Sequence, residues 1–383
     1  MKLRSSAFLA LISLTLAALP AGSARRPRYG GTLRVEIAEA ITSLDPAVPA
    51  PTPDFASAKD EINALLYERR NADGTFSGVA GSGPFRIVEW EPGKHATLAA
   101  NDDYSGGRPF VDSIEIQMGR AAKDSLLDLE VNKTDLTEIP AEEARHAGNG
   151  VRVMASKPNQ LIALVFIGGR PVAENARVRE ALSGAIDRSS IVDFILQREG
   201  EPAGGLLPQW SSGTAFLFSI IPAVSRPEQW AGIGGSPKIV LGYDAGDGLA
   251  QTIAERIAVN AHEAGISLKL TALSGGNPGT VKIDARLVRI RMQSPRPREA
   301  LLGLIQELGS MAGIDAAPLP DPASPGQIYE REREIVGDHR IVPLAWIPRV
   351  YGLSGRVRDW KAPVPGETWK LADVWLDTTI EMR

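Results

Sequence analysis

The stretch that decides the fold begins at Gly81 with GSGPFRIVEWEPGKHATLAANDDYSGGRPFVDSIEIQM (81–118) and resumes at Asn175 with NARVREALSGAIDRSSIVDFIL (175–196). In the first part, residues 85–90 and 97–100 read as paired strands about the turn Glu91-Pro92-Gly93-Lys94. Ile114, Ile116 and Met118 then alternate with polar neighbours as a further strand. In the second part, Val178, Ala181, Leu182, Ala185 and Ile186 fall at i, i+3, i+4, i+7 and i+8. That is one apolar stripe, and it predicts a helix over 175–186. Asp187 is placed to cap a following helix, where Ile191, Phe194 and Ile195 repeat the spacing.

Outward from there the same alternation of strands and helices continues. Residues 32–37 read as the first strand, with Leu33, Val35 and Ile37 alternating. Residues 47–55 read as a loop, and 59–70 as a short helix with Ile62, Leu65 and Leu66 on one side. Residues 124–131 suit another helix, and 161–167 form a nearly continuous apolar strand of the kind buried on both faces. A strand over 238–243 leads into a helix striped by Leu249, Ile253, Ile257, Ala261 and Ala264. Gly265 ends that helix, and Ile266, Leu268 and Leu270 alternate in the next strand. Strands joined through a helix are parallel as a rule, so this part is α/β. A strand over 287–292, helices over 298–308 and 327–336, and an apolar strand over 341–347 complete the pattern. At 383 residues the chain is too long for one ordinary domain and fits two lobes. Its 43% hydrophobic content is enough to fill two cores.

Residues 1–24 have the order of a secretory leader: Lys2 and Arg4, an apolar run over 7–19, then small residues up to Ala24. The expected product is a cleaved, periplasmic protein. The sequence has no cysteine, which removes both disulfides and a lipid-anchoring lipobox. A formal net charge of −4 gives no electrostatic reason to expect nucleic acid.

No motif points to catalysis. His95, His146, His262 and His339 are scattered, and His262-Glu263 lacks the second histidine of a zinc helix. The glycines at 232, 234 and 235 precede a strand instead of following one, so they do not form a phosphate loop. No serine sits in a G-x-S-x-G elbow. The expectation is therefore a protein that is not an enzyme, with no cofactor or metal.

A family resemblance covers most of the chain after the leader, in order. Gly30-Gly31-Thr32-Leu33 with Ser43-Leu44-Asp45-Pro46 resembles the opening strand and loop of family 5 extracellular solute-binding proteins of ABC importers, the peptide/nickel type. Gly81-Ser82-Gly83-Pro84-Phe85 resembles the G-[TS]-G-P-[YF] signature. Asn101-Asp102-Asp103-Tyr104 with Gly106-Gly107-Arg108-Pro109-Phe110 resembles the next segment, with Ser105 in place of tryptophan. Val178-Arg179-Glu180-Ala181-Leu182 and Ala185-Ile186-Asp187-Arg188 match the helix block. Ile341-Val342-Pro343-Leu344 and Leu371-Ala372-Asp373-Val374-Trp375 resemble the C-terminal part. Two departures matter. The subdomain the family inserts between its first helix and the G-S-G-P signature is essentially missing. The place where peptide-binding members hold an aspartate, 290–298, carries arginines instead, at 291, 296 and 298, with Arg286 and Arg289 just before it.

The resemblance implies an α/β, two-lobe periplasmic-binding-protein-like fold (type II, cluster C-like) with a reduced first lobe. Lobe I is expected over 25–160, with 341–383 returning to it, and lobe II over 161–340. The two crossings, near 160–167 and 341–346, are expected to form a hinge. The implied function is delivery of a small solute, peptide-like or anionic, to an inner-membrane ABC permease by a monomer. The rival is a shortened relative that no longer transports and serves as a protein-interaction or sensory module. Candidate ligand contacts are Glu39 and Thr42 after the first strand, Gln160 and Phe166 at the crossing, Trp210 in a loop, and Arg296 in the basic segment.

Overall fold

A computed structural model describes residues 26–50, 53–67, 69–70, 76–77, 81–148, 150–222, 236–274, 282–315 and 318–377. The expected leader lies outside these residues. Two sheets organise the chain. The first contains β1 (Thr32–Glu36), β2 (Phe85–Glu91), β3 (His95–Ala100), β4 (Ser113–Gln117), β5 (Leu136–Ile139) and β6 (Arg152–Ala155). The chain then enters the second sheet with β7 (Gln160–Phe166), β8 (Glu201–Pro202), β9 (Lys238–Asp244), β10 (Ser267–Leu273), β11 (Ala285–Arg291) and β12 (Ile341–Ile347). It returns to the first sheet as β13 (Val350–Leu353). The seven-stranded order is β2-β3-β4-β1-β5-β13-β6, and the six-stranded order is β8-β12-β7-β11-β9-β10.

The expected hairpin is present: β2 and β3 pair antiparallel across the Glu91-to-Lys94 turn. The first helix, α1, spans Pro53–Leu66. It starts earlier than its apolar spacing suggests, because proline suits the first helical turn, where its missing N–H is not needed. Its end explains the glycines of the G-S-G-P segment. Gly81 and Gly83 both donate backbone N–H groups to the carbonyl of Leu66, at 2.8 and 3.0 Å. A Cβ on Gly83 would lie 2.6 Å from the backbone of Leu66 and Tyr67. Asn101 fastens the same corner from β3's side, donating to the Gly83 carbonyl at 2.7 Å. Between α1 and Gly81 the described structure is a two-residue ladder, Arg69–Arg70 against Phe76–Ser77.

The second sheet is covered on both faces, and β7 shows why its sequence is apolar throughout. Ile162, Leu164 and Phe166 join a core with Leu182, Ile253 and Ile257. Leu161, Ala163 and Val165 join another with Leu301, Leu304, Ile305 and Leu308. Successive side chains of a strand point to opposite faces, so a doubly covered strand must be apolar at every position. The helices responsible are α2 (Ala176–Ala185) and α3 (Gly248–Glu263) on one face, and α4 (Pro297–Ala312) and α5 (Pro325–Gly337) on the other. β9 and β10 are parallel and joined through α3, as expected.

One expected stripe is broken. After Asp187 caps Ser190 at 3.0 Å, residues Ile191–Ile195 form a wider turn, with the Leu196 N–H bonded to the Ile191 carbonyl five residues back. The wider turn shifts the spacing away from 3.6, and Phe194 points to solvent, 79% exposed. A second difference concerns the crossings. β7 and β12 lie wholly in the second sheet, paired with each other. The links between the sheets are instead residues 156–159 and the pair Pro348 and Arg349.

Candidate functional site

A cavity of about 80 Å³ lies where the two sheets meet. From the first-sheet side it is lined by Ser57, Asp60 and Glu61 of α1 and by residues 363–368. From the second-sheet side come Asn159, Arg291, Met292 and Gln293, with Arg349 between. Each side chain is placed by its element. Arg291 ends β11, opposite Gln160 on β7, so both crossing-side strand ends meet here. Arg349 lies just past β12, after Pro348, and is the lone charge in a run, 341–353, that is buried throughout.

The electrostatics centre on Glu61, which is 2% exposed. Its carboxylate accepts the Trp369 backbone N–H, and one oxygen lies 3.6 Å from Arg349 Nη1. Arg349 Nε donates to Glu138 at 2.9 Å, and the guanidinium sits 5.2 Å from the centre of the Tyr351 ring. Burial pushes the Glu61 carboxyl up to about 7, against the opposing pull of Arg349 and the Trp369 N–H. Burial acts on Glu138 in the same direction, but Arg349 outweighs it and holds that carboxyl below its ordinary range. Burial also raises the Tyr351 phenol. The buried side-chain atoms of this region without a hydrogen-bond partner include Asn159 Oδ1 and the Tyr351 hydroxyl. Buried polar atoms are nearly always satisfied, so an orphan acceptor facing a cavity is a place for a donor.

Of the residues singled out in the sequence, three lie near this junction. Gln160 is buried beside Asn159, at the start of β7. Trp210 donates its indole N–H to the Pro158 carbonyl at 2.7 Å, with Lys157 5.0 Å from its ring centre. It therefore packs on the link between the sheets. Arg296 is exposed and paired with Glu299 at 2.9 Å, one turn from the cavity-lining Gln293. The other three lie apart. Phe166 is fully buried at the far end of β7, roughly 20 Å from Gln160 at a strand rise of 3.3 Å per residue. Glu39 and Thr42 pack near the Gly93 turn: the Glu39 carbonyl accepts the Gly119 N–H at 3.4 Å, and the Gly93 N–H bonds Ile41 at 2.8 Å. The basic segment disperses too. Arg289 pairs with Asp247 at 3.2 Å, and Arg298 bonds the Pro320 carbonyl at 2.6 Å. Of its five arginines, Arg291 alone lines the cavity.

Two α/β sheets, crossed twice by the chain and enclosing a polar cavity at their junction, define a binding-protein architecture. Residues 31–297 match the family described as bacterial extracellular solute-binding proteins, family 5, middle part, and the chain belongs to that family. Among curated proteins it is similar to the oligopeptide-binding protein AppA of Bacillus subtilis (strain 168). The two are 33% identical over 128 residues, which is 32% of this chain and 23% of that one. It is also similar to the nickel-binding protein NikA of Staphylococcus aureus, 29% identical over 153 residues, or 39% of this chain and 31% of that one. The chain thus spans less than half the length of these relatives. Among solved structures, the ABC transporter substrate-binding protein CtaP of Listeria monocytogenes superposes with a TM-score of 0.69 at 15% identity, covering 91% of this chain and 100% of that one. NikA of Brucella suis in complex with Fe(III)-EDTA gives 0.65 at 16% identity, covering 80% and 70%. At such identities the superpositions speak for the fold.

Proposed function

We propose that this chain is an extracytoplasmic receptor that holds a small solute between its two sheets and delivers it to an inner-membrane ABC permease. The observation that carries this reading is the polar cavity at the junction, lined from both sides and containing the orphan acceptor of Asn159. Clefts between domains are the commonest place for a small ligand, because closure buries it on all sides. In this reading the lobes are the two sheets with their helices, and the links at 156–159 and 348–349 are the hinge. Asn159, Arg291 and Gln293 face the solute, with Gln160 and Trp210 supporting the link beside them. The periplasmic relatives and the leader-like order of residues 1–24 support an exported protein.

A cavity of about 80 Å³ is far below the roughly 300–1,000 Å³ typical of small-molecule sites. In this reading the described arrangement is a closed one, and a peptide-like or anionic solute enters only when the lobes part. A thermal-shift screen of the mature protein against short peptides, amino acids, carboxylates and metal chelates tests the reading. A ligand that binds the folded state alone raises the melting temperature. A saturable shift in one class supports the receptor. No shift from any class, together with stable capture of a protein partner, would favour an interaction module instead.

A further inference from the structure

Glu61 joins three parts of the chain that are far apart in sequence. It sits on α1 in the first half of the molecule, contacts Arg349 in one inter-sheet link, and holds the Trp369 N–H in the segment that returns over α1. Across the small cavity it faces residues of the second half. The charged and titratable groups around it come from every neighbouring element: Arg349 from the link, Glu138 from β5, Arg291 from β11, Tyr351 from β13, Glu367 from the returning segment and Asp60 from its own helix. Parting the two halves would wet the cavity side of this carboxyl and carry Arg291 away from it; the first lowers its proton affinity, and the second opposes that only in part, because burial is the larger influence.

We propose that Glu61 is a positioning residue for the interlobe site, and that closure of the two halves takes up a proton at Glu61 which opening releases. The proposal rests on the two-lobe reading above. In the closed arrangement burial holds the carboxyl at about 7, against 4.5 for an ordinary glutamate. The proton therefore favours closure: its contribution is complete below the ordinary value and is lost as pH rises through about 7. The returning segment keeps part of the carboxyl covered in either state. The expected change in the closed-to-open ratio between about pH 5 and about pH 8.5 is then roughly tenfold to hundredfold. Solute would bind with proton uptake, more tightly on the acid side.

The absence of cysteine makes a direct test simple. Dyes are placed on Glu89→Cys in β2 and Glu255→Cys in α3, both exposed and one in each half. Single-molecule energy transfer then reads the interlobe distance in ligand-free protein across pH. The expected result is at least a tenfold shift from near to far populations as pH rises, absent in Glu61→Gln. Glu332→Gln is the control. Its carboxyl is also raised to about 7, but it is buried inside the second half, so this variant keeps the shift. A flat wild-type response, or a shift that survives in Glu61→Gln, overturns the proposal. If Glu61→Gln does not fold by circular dichroism, a flat wild-type response or loss of the shift in Glu332→Gln still overturns the proposal. Loss of the shift in that control would place the titrating group elsewhere. A screen that returns no solute would count against the receptor and leave this titration untouched.

Discussion

Glu332 on α5 offers a sharp test of how burial tunes this protein. It is 0% exposed. One carboxylate oxygen accepts the Leu207 N–H at 2.8 Å, and the other has no partner. Burial pushes the carboxyl up to about 7, and the N–H groups of Leu207 and Leu206 only partly oppose it. Below the ordinary value of 4.5 the group is protonated whether the chain is folded or not. Between there and about 7 only the folded chain keeps the proton, so stability falls as pH rises. Across the whole window the loss is worth roughly 3 kcal/mol, at about 1.4 kcal/mol per pH unit. Glu332→Gln keeps an acceptor for Leu207 and carries no charge. Its stability relative to wild type should therefore grow by roughly 3 kcal/mol between about pH 4.5 and about pH 8. Every other titrating group, Glu61 included, is common to both proteins and cancels. Urea unfolding of the two proteins across that range measures the difference. Parallel stability curves would refute the reasoning and show that water reaches this carboxyl.

Three further perturbations follow from the same physics. Asp135 has a fully buried side chain and accepts from Arg34 Nε at 3.0 Å, Arg356 Nε at 2.7 Å and the Ser354 hydroxyl at 2.9 Å. Burial raises its carboxyl, but the two arginines outweigh that and hold it below 3.8, so its contribution is present above that value and lost in acid. Asp135→Asn removes the counter-charge of two guanidinium groups and should cost about 3–5 kcal/mol, read by chemical denaturation near neutral pH. Gly83→Ala places a methyl 2.6 Å from the backbone of Leu66 and Tyr67, which cannot yield as a side chain could. It should destabilise the first-sheet half by about 1–3 kcal/mol while leaving amide exchange in the second unchanged. Leu164→Ala, at a site 0% exposed in β7, should cost about 2–5 kcal/mol and loosen the second-sheet half instead.

The architecture was legible wherever burial imposes a period. The stripe from Val178 to Ile186 and the unbroken apolar run of β12 gave their elements to within a residue or two. So did the strand–helix–strand unit around α3. Three strands the sequence did not announce, β5, β6 and β13, are four residues long, and each contains a charged residue, a glycine or exposed positions. Their pairing supplies what their composition does not. The site was less legible because it is assembled across great sequence distance: Glu61 and Trp369 are 308 positions apart. A local signal did exist for Arg349, a single charge inside a long buried run, since a buried charge persists only when something pairs with it. The dense arginines around β11 read in sequence as a basic segment offering Arg296 to an anionic solute. Carboxylates and carbonyls of the second-sheet half take up Arg289 and Arg298 instead, and Arg296 turns to Glu299.

The central claim is that one solute is held by both halves at once. Hydrogen–deuterium exchange of the protein, with and without a saturating hit from the thermal-shift screen, tests it most directly. Bound solute should protect amides on both sides of the cavity together: residues 56–61 and 366–369 from one half, and 159–160 and 291–293 from the other. Protection confined to one half, or to a surface away from these four segments, would contradict the account.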